Sequence, residues 1–265
     1  MAEKRRARPL LGTFVEIAVA GETTDAGKAV DAGFEAIETM HRLASFQDPE
    51  SELSELNRAG GAERDVHPLL ARVLRLAAGM TRASDGLFNA TLGGALVSRG
   101  VLPNQGFGDA APFGSADDIE VKGNRVRLKN RVVVSLDGIA KGFAVDLAIR
   151  ALKRAGAPAG WINAGGDLRV FGEIEIPVHR RSEDGRFAEI GRLRDGAIAT
   201  SEISGEPNPR FPGCIIKAGY GTPRTGIWSV IASTAWRADS LTKVAALAPE
   251  ERRAEIITSL QGCLT

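Results

Sequence analysis

The chain has 265 residues, 43% hydrophobic and 25% charged, ample for one large domain or two small ones with a real core. With 34 Lys and Arg against 33 Asp and Glu, a formal charge of +1 and 5% aromatic residues, it offers no basic, stacking surface, so nucleic acid is excluded as a default partner. Cys214 and Cys263 are too few for a disulfide framework or a zinc cluster, and no run approaches the length of a transmembrane segment.

Lys4, Arg5, Arg6 and Arg8 open the chain without an apolar stretch behind them, so the expected location is cytoplasmic, with export or membrane anchoring the alternative for a trimmed chain. Residues 13–20 alternate with period two and predict a strand entered through Leu11, Gly12 and Thr13. Over 25–44, Ala26, Val30, Phe34, Ile37, Met40 and Ala44 keep helical spacing and predict a long amphipathic helix that carries His41 as a structural residue. Asp48 followed by Pro49 predicts an N-cap and first helical position for a short helix through Leu56 and Asn57. A third helix opens at Val66, His67 and Pro68 and stops near Ser84, Asp85 and Gly86.

Glycines then dominate. The stretch 86–94 has too many for regular structure, and 98–114 adds Pro103, Gly106, Gly108 and Pro112, which predicts a long loop. A hairpin is expected over 119–128, a strand over 132–136, and a helix over 142–155 closed by Gly156 and Pro158. Six further strands follow, at 161–163, 168–171, 174–178, 188–191, 197–200 and 228–233, before helices near 238–247 and 250–260. Strands in runs and helices in blocks argue for an α+β fold, with mixed or antiparallel sheets and packed helices, over a doubly wound one. No repeat or flexible linker divides the chain, so 1–265 reads as one domain, with two lobes around a central cleft as the variant.

Three stretches carry chemistry. At 134–146 a β-branched run ends in Gly138, Lys141 and Gly142 and opens into a helix, an arrangement that presents backbone N–H groups and a cation to phosphate. Strand, glycine and helix with a nearby lysine form a structural turn more often than a ligand site. A second glycine turn, Asn163-Ala164-Gly165-Gly166-Asp167, lets a backbone approach a ligand closely, or is simply a hairpin ordered by its Asn and Asp. Thr200 and Ser201 follow a strand, where their hydroxyls cap an edge or face a site. Asp239 reads either as a helix N-cap or as a hard ligand for Mg²⁺.

In this order, Leu11-Gly12-Thr13-Phe14, Ser45-Phe46 with Ser51-Glu52-Leu53 and Leu56-Asn57, Asp85-Gly86-Leu87-Phe88-Asn89-Ala90-Thr91, Gly138-Ile139-Ala140-Lys141-Gly142-Phe143-Ala144-Val145-Asp146, Asn163 to Asp167, Ala199-Thr200-Ser201, Pro223-Arg224-Thr225-Gly226 and Ala238-Asp239 resemble the successive motifs of the ApbE family. The resemblance runs from about residue 8 to about residue 247 and implies Mg²⁺-dependent FAD:protein FMN transfer. FAD's pyrophosphate is broken, FMN passes to a Thr or Ser hydroxyl of a target flavoprotein, and AMP leaves. Carried over position by position, it implies a metal held by the Gly138 carbonyl, the Asp239 carboxylate, the Thr242 carbonyl and the side chain at 243. It implies FAD contacts at Leu11, Gly12, Phe88, Asn89, Ala90, Ser135, Lys141 and Gly221, with Asn163, Gly165, Gly166 and Asp167 close by, and Asp239, Lys141 and Lys243 as the catalytic group.

The chain departs from that pattern at several positions. Asn89 and Ser135 stand where the family usually has Asp, Asp137 and Glu202 where it has Gly, and Lys243 where a Thr ligates the metal. An ammonium cannot ligate Mg²⁺. The usual His-x-x-Asp ahead of Pro-x-Thr-Gly is replaced by Gly219, Tyr220, Gly221 and Thr222, and none of His41, His67 or His179 lies in a matching motif, which leaves the base for the acceptor hydroxyl unassigned. The alternatives to transfer are FAD or adenine-nucleotide binding without turnover, and slow FAD hydrolysis.

Overall fold

The computed structural model describes residues 3–21, 23, 25–181, 187–203, 215–218 and 225–265. In chain order these form β1 (Glu3–Leu10), β2 (Thr13–Ala20), α1 (Ala26–Ala44), α2 (Glu52–Arg58), β3 (Arg64–Asp65), α3 (Pro68–Ala83), α4 (Gly93–Ser98), β4 (Ile119–Lys122), β5 (Arg125–Leu128) and α5 (Ala140–Arg154). There follow β6 (Ala159–Ala164), β7 (Asp167–Phe171), β8 (Glu175–Arg181), β9 (Phe187–Arg194), β10 (Ala197–Ile203), β11 (Gly226–Ala232), α6 (Ala235–Leu247), α7 (Arg253–Ser259) and β12 (Gly262–Leu264). Seven strands make one sheet in the order β1-β2-β6-β7-β10-β11-β12, every neighbour antiparallel, while β3-β5-β4 and β8-β9 stand apart. The architecture is the α+β one expected.

Why α1 lies where it does is set by its apolar stripe. Val30, Phe34, Ile37 and Met40 are fully buried, each withdrawing a side chain worth about 2 kcal/mol from water. At Gly33 a Cβ would fall 2.9 Å from Ile17 of β2 and 3.3 Å from Leu152 of α5, so the missing side chain lets α1 settle between sheet and helix. Asp25 caps this helix, its carboxylate accepting from the Lys28 N–H at 2.9 Å.

Several elements differ from the sequence reading, each for a local reason. β1 pairs with β2 along its whole length although its sequence is basic. As an edge strand it needs no apolar face, and Arg5 is held by Glu16 at 2.6 Å while Arg8 lies over the Phe34 ring at 4.5 Å. The N-cap of α2 is Ser51, not Asp48; Asp48 instead closes the turn before it, accepting from the Glu50 N–H at 2.9 Å. Gly93 and Gly94 begin the helix α4 because a Cβ on either would collide with the Val133 or Ala111 carbonyl, so they serve close packing where irregular structure was expected.

The run 132–136 is extended but does not join a named sheet. Its backbone is paired by a side chain: Asn57 donates to the Val134 carbonyl at 2.9 Å and accepts from the Val134 N–H at 2.8 Å, while the Ser135 N–H reaches the Ala90 carbonyl at 2.9 Å. α5 starts at Ala140, two residues ahead of the expected Gly142, and α6 starts at Ala235, so Asp239 lies inside a helix and is not its N-cap. The short strand β12 was not foreseen.

Candidate active site

α5 and α6 cross at their N-terminal ends, and each borrows its cap from the other. Neither Ile139 nor Thr234, the formal N-cap residues, makes a side-chain capping bond. Instead Asp239 of α6 accepts from the Gly142 N–H at 3.1 Å, and Asp146 of α5 accepts from the N–H groups of Ala235 at 3.1 Å and Trp236 at 2.9 Å. Gly142 makes the crossing possible, because a Cβ there would run into the Ala235 carbonyl. Arg169 of β7 completes the Asp146 node at 2.8 Å. Burial pushes the Asp146 carboxyl above its ordinary value, against the opposite pull of the Trp236 N–H and the Arg169 charge.

Beside this crossing sit two lysines, each on a buried carboxylate. Lys141, in the first turn of α5, lies 3.3 Å from Asp167, which enters from the β6–β7 turn. Lys243, one helical turn beyond Asp239, donates to the Asp239 carboxylate and, at 3.1 Å, to the Asp239 carbonyl. Asp167 and Asp239 are sealed, while the lysine side chains keep 29% and 21% exposure. Both lysine side chains therefore reach solvent, while the carboxylates behind them do not.

The charges feel one another. Asp167 is pushed up to about 7, by burial first and by the Asp239 charge second, with Lys141 and Lys243 pulling the other way. Burial alone would lower the Lys141 ammonium; Asp167 and Asp239 outweigh it and hold it above its usual value.

Around the four charges the predicted contacts fall into place unevenly. Gly138 lies against Phe88 and the Lys243 stem, with a hypothetical Cβ 3.1 Å from the first and 3.4 Å from the second. Ser135 is buried beneath it, with the Asp137 N–H 3.4 Å from its hydroxyl. Leu11 and Gly12 form the β1–β2 turn in left-handed conformations, and Gly165 of the β6–β7 turn packs on Thr13 just after it. Asn163 orders its own turn, accepting from the Gly166 N–H at 3.1 Å. The Asn89 side chain is spent on the loop, donating to the Gly114 carbonyl at 3.0 Å and accepting from the Thr91 N–H at 2.8 Å. Ala90 is buried behind it. Gly221, Pro223, Arg224 and Cys214 lie outside the described residues.

Two expectations change. Thr200 and Ser201 lie on the interior strand β10 and cap no edge; their hydroxyls meet Ser229 at 2.9 Å and Thr242 at 2.7 Å. Residue 243 is no metal ligand, since its ammonium occupies the Asp239 donors that an ion would use. The Thr242 hydroxyl is turned back to the Asp239 carbonyl at 2.7 Å. Among the described residues no group of three or more His, Cys, Asp or Glu side chains converges. A cation placed on Asp239 would meet the ammonium at contact range, a repulsion of about 4 kcal/mol per unit charge at an effective dielectric near 20. Mg²⁺ does not fit this donor set.

What sequence reasoning missed is Asp146. Its signal was present, a carboxylate on the same helical face as Gly142, Phe143 and Ile149, all buried. No histidine joins the cluster: His67 caps α3, accepting from the Leu69 N–H at 3.2 Å, His41 lies in the last turn of α1, and His179 is exposed on β8.

The ApbE family model matches residues 11–264. Over 181 residues the chain is 32% identical to the FAD:protein FMN transferase of Rhodobacter capsulatus, covering 62% of this chain and 34% of that relative, so it spans about a third of the relative's length. Its fold is similar to that of the flavin transferase ApbE from Vibrio cholerae, with a TM-score of 0.82 at 21% identity over 98% of this chain and 92% of that one. The ApbE protein of Thermotoga maritima superposes with a TM-score of 0.81 at 21% identity, over 99% of this chain and 93% of the other. With its motifs in series and the model matched across nearly its full length, the chain belongs to the ApbE family.

Proposed function

We propose that this protein transfers FMN from FAD to a Thr or Ser hydroxyl of a target flavoprotein, with AMP as the leaving group. The observation that carries the reading is the pair of half-buried ammonium groups, Lys141 and Lys243, each fixed against a sealed carboxylate at the N-terminal end of α5. A dianionic pyrophosphate is the complement of two fixed cations beside a helix start. The family and the name of the Rhodobacter capsulatus relative support the same reaction.

In that reaction the acceptor oxygen bonds to the FMN phosphorus, the bridging P–O bond breaks, and AMP leaves with the electron pair while the hydroxyl proton passes to the medium. The protein's contribution is positioning and electrostatic stabilisation. Lys141 and Lys243 hold the phosphates and neutralise charge that builds on the leaving group. Phe88, Gly138 and the Leu11–Gly12 turn shape the walls where the rest of FAD lies.

The raised Asp167 gives this site a pH dependence of known sign. Below about pH 7 the carboxyl is neutral and the Lys141 charge is uncompensated; as pH rises the carboxylate forms and cancels it. FAD affinity should therefore fall on the order of tenfold between about pH 6 and pH 8, because the pyrophosphate itself stays ionised throughout. Flavin-fluorescence titrations check this, and Asp167→Asn should flatten the profile.

The reading is tested by incubating the protein with an acceptor domain and either FAD or FMN, followed by in-gel flavin fluorescence and intact mass. Covalent labelling from FAD and none from FMN is the expected outcome. FMN and AMP without an adduct on two different acceptors would make the protein a pyrophosphatase.

A further inference from the structure

We infer that the ammonium of Lys243 is a built-in counter-cation for the pyrophosphate, so that this chain binds its dinucleotide without a divalent metal ion. The inference rests on the FAD reading above and specifies how that site handles charge. It starts from the disagreement between the cation seat that family resemblance implies and the side chains that fill it.

The Asp239 oxygens of that seat are all engaged from within. One Asp239 carboxylate oxygen takes the Gly142 N–H and the other takes Lys243; the Asp239 carbonyl takes both Lys243 and the Thr242 hydroxyl. Gly138, whose carbonyl would be a further donor, packs against the Lys243 stem, and a Cβ there would crowd Cε at 3.4 Å. Helical spacing fixes this arrangement, since residues four apart lie one above the other on α6. The lysine is thus held on the carboxylate by its own helix.

An ammonium has three donors. Two of them are committed to Asp239, and with the side chain keeping 21% exposure the third is left for an incoming anion. Lys141 presents a second ammonium from the opposite helix, with its own carboxylate behind it. The dinucleotide's two negative charges then meet two ammonium groups, each backed by a carboxylate, at the place a divalent ion would otherwise take. The charge is supplied by the chain and is present before substrate arrives.

The test uses Mn²⁺ as a spectroscopic probe of the metal-free protein, read by the EPR signal of free Mn²⁺, together with FAD affinity in EDTA and in excess Mg²⁺. The wild-type protein should take up no Mn²⁺ that Asp239→Asn removes, and its affinity for FAD should differ less than twofold between EDTA and Mg²⁺. Lys243→Thr should bind one Mn²⁺, lose at least tenfold in FAD affinity in EDTA, and recover it in Mg²⁺. Lys243→Met, which keeps an unbranched stem but not the charge, should lose affinity in EDTA in the same way.

Stoichiometric Mn²⁺ binding by the wild type that Asp239→Asn abolishes would overturn the inference, as would FAD binding that requires Mg²⁺. The comparison of wild-type FAD affinity in EDTA and in Mg²⁺ stands even if a variant fails to fold. Failure of the functional reading looks different: FAD then binds in neither condition, while the Mn²⁺ result still decides whether Lys243 excludes the ion.

Discussion

Asp239→Ala should lower FMN transfer by about 10²–10³-fold, the scale for removing one fixed electrostatic group from a site where charge develops. Asp239 has a double attachment: it caps α5 through Gly142 and holds Lys243 at the floor of the cleft. With alanine there, the lysine loses its anchor and the first turn of α5 loses an acceptor. The variant should also be less stable, by about 1 kcal/mol for the lost cap and about as much again for an ammonium that water still partly solvates. Asp239→Asn separates the two effects, because its amide oxygen can still accept from Gly142 while it cannot balance a charge. It should unfold between the alanine variant and the wild type, having kept the cap but not the ion pair, and yet remain as inactive as the alanine variant. Initial rates and urea unfolding followed by circular dichroism give both numbers.

The largest loss of stability is expected at Asp146, which touches no substrate. Its carboxylate is 4% exposed and serves three partners, the Arg169 guanidinium and the N–H groups of Ala235 and Trp236. Alanine would strand a guanidinium that is 14% exposed and two N–H groups at the start of α6, at a cost of about 3–5 kcal/mol. Asparagine should be milder. Burial holds the Asp146 carboxyl above its ordinary value, so the charge itself is costly there and a neutral isostere gives up less than the number of contacts suggests. Urea midpoints in the order wild type, Asp146→Asn, Asp146→Ala are the expected result. Asp146 is a positioning residue: if α6 shifts when its cap is removed, kcat falls for the folded alanine variant while KM for the acceptor holds.

Much of this molecule was legible in the sequence because its signals are local. The stripe of α1, the hairpin 119–128, the Gly165–Gly166 turn and the class of fold follow from periodicity and turn chemistry alone. The misses share a different cause, partners far away in the chain. β1 is a strand because β2 accepts it, not because its basic residues alternate in hydrophobicity. The run 132–136 has the composition of a strand, but it is held by isolated bridges to Leu92 and Ala111 and by the Asn57 side chain, 77 residues away, and joins no named sheet. Asp239 has the chemistry of an N-cap and does cap a helix; that helix is α5, 97 residues away.

The site shows the same division. Lys141, Asp167, Asp239 and Lys243 were each singled out by motif, and the structure brings all four together. The pairing of carboxylates with lysines was not readable, since only the crossing of α5 and α6 decides which ammonium meets which oxygen. The exposure that turns those ion pairs into an anion site was equally hidden. Asp146 stands inside one of those motifs, but a cap for a helix 90 residues away leaves no local trace.

The most direct measurement is a crystal structure of the protein with FAD in EDTA. The account predicts the pyrophosphate between Lys141 and Lys243, with an oxygen within hydrogen-bonding distance of each ammonium and no ion on Asp239. A pyrophosphate bound elsewhere, out of hydrogen-bonding reach of both ammonium groups, or an ion seated on Asp239, would contradict it.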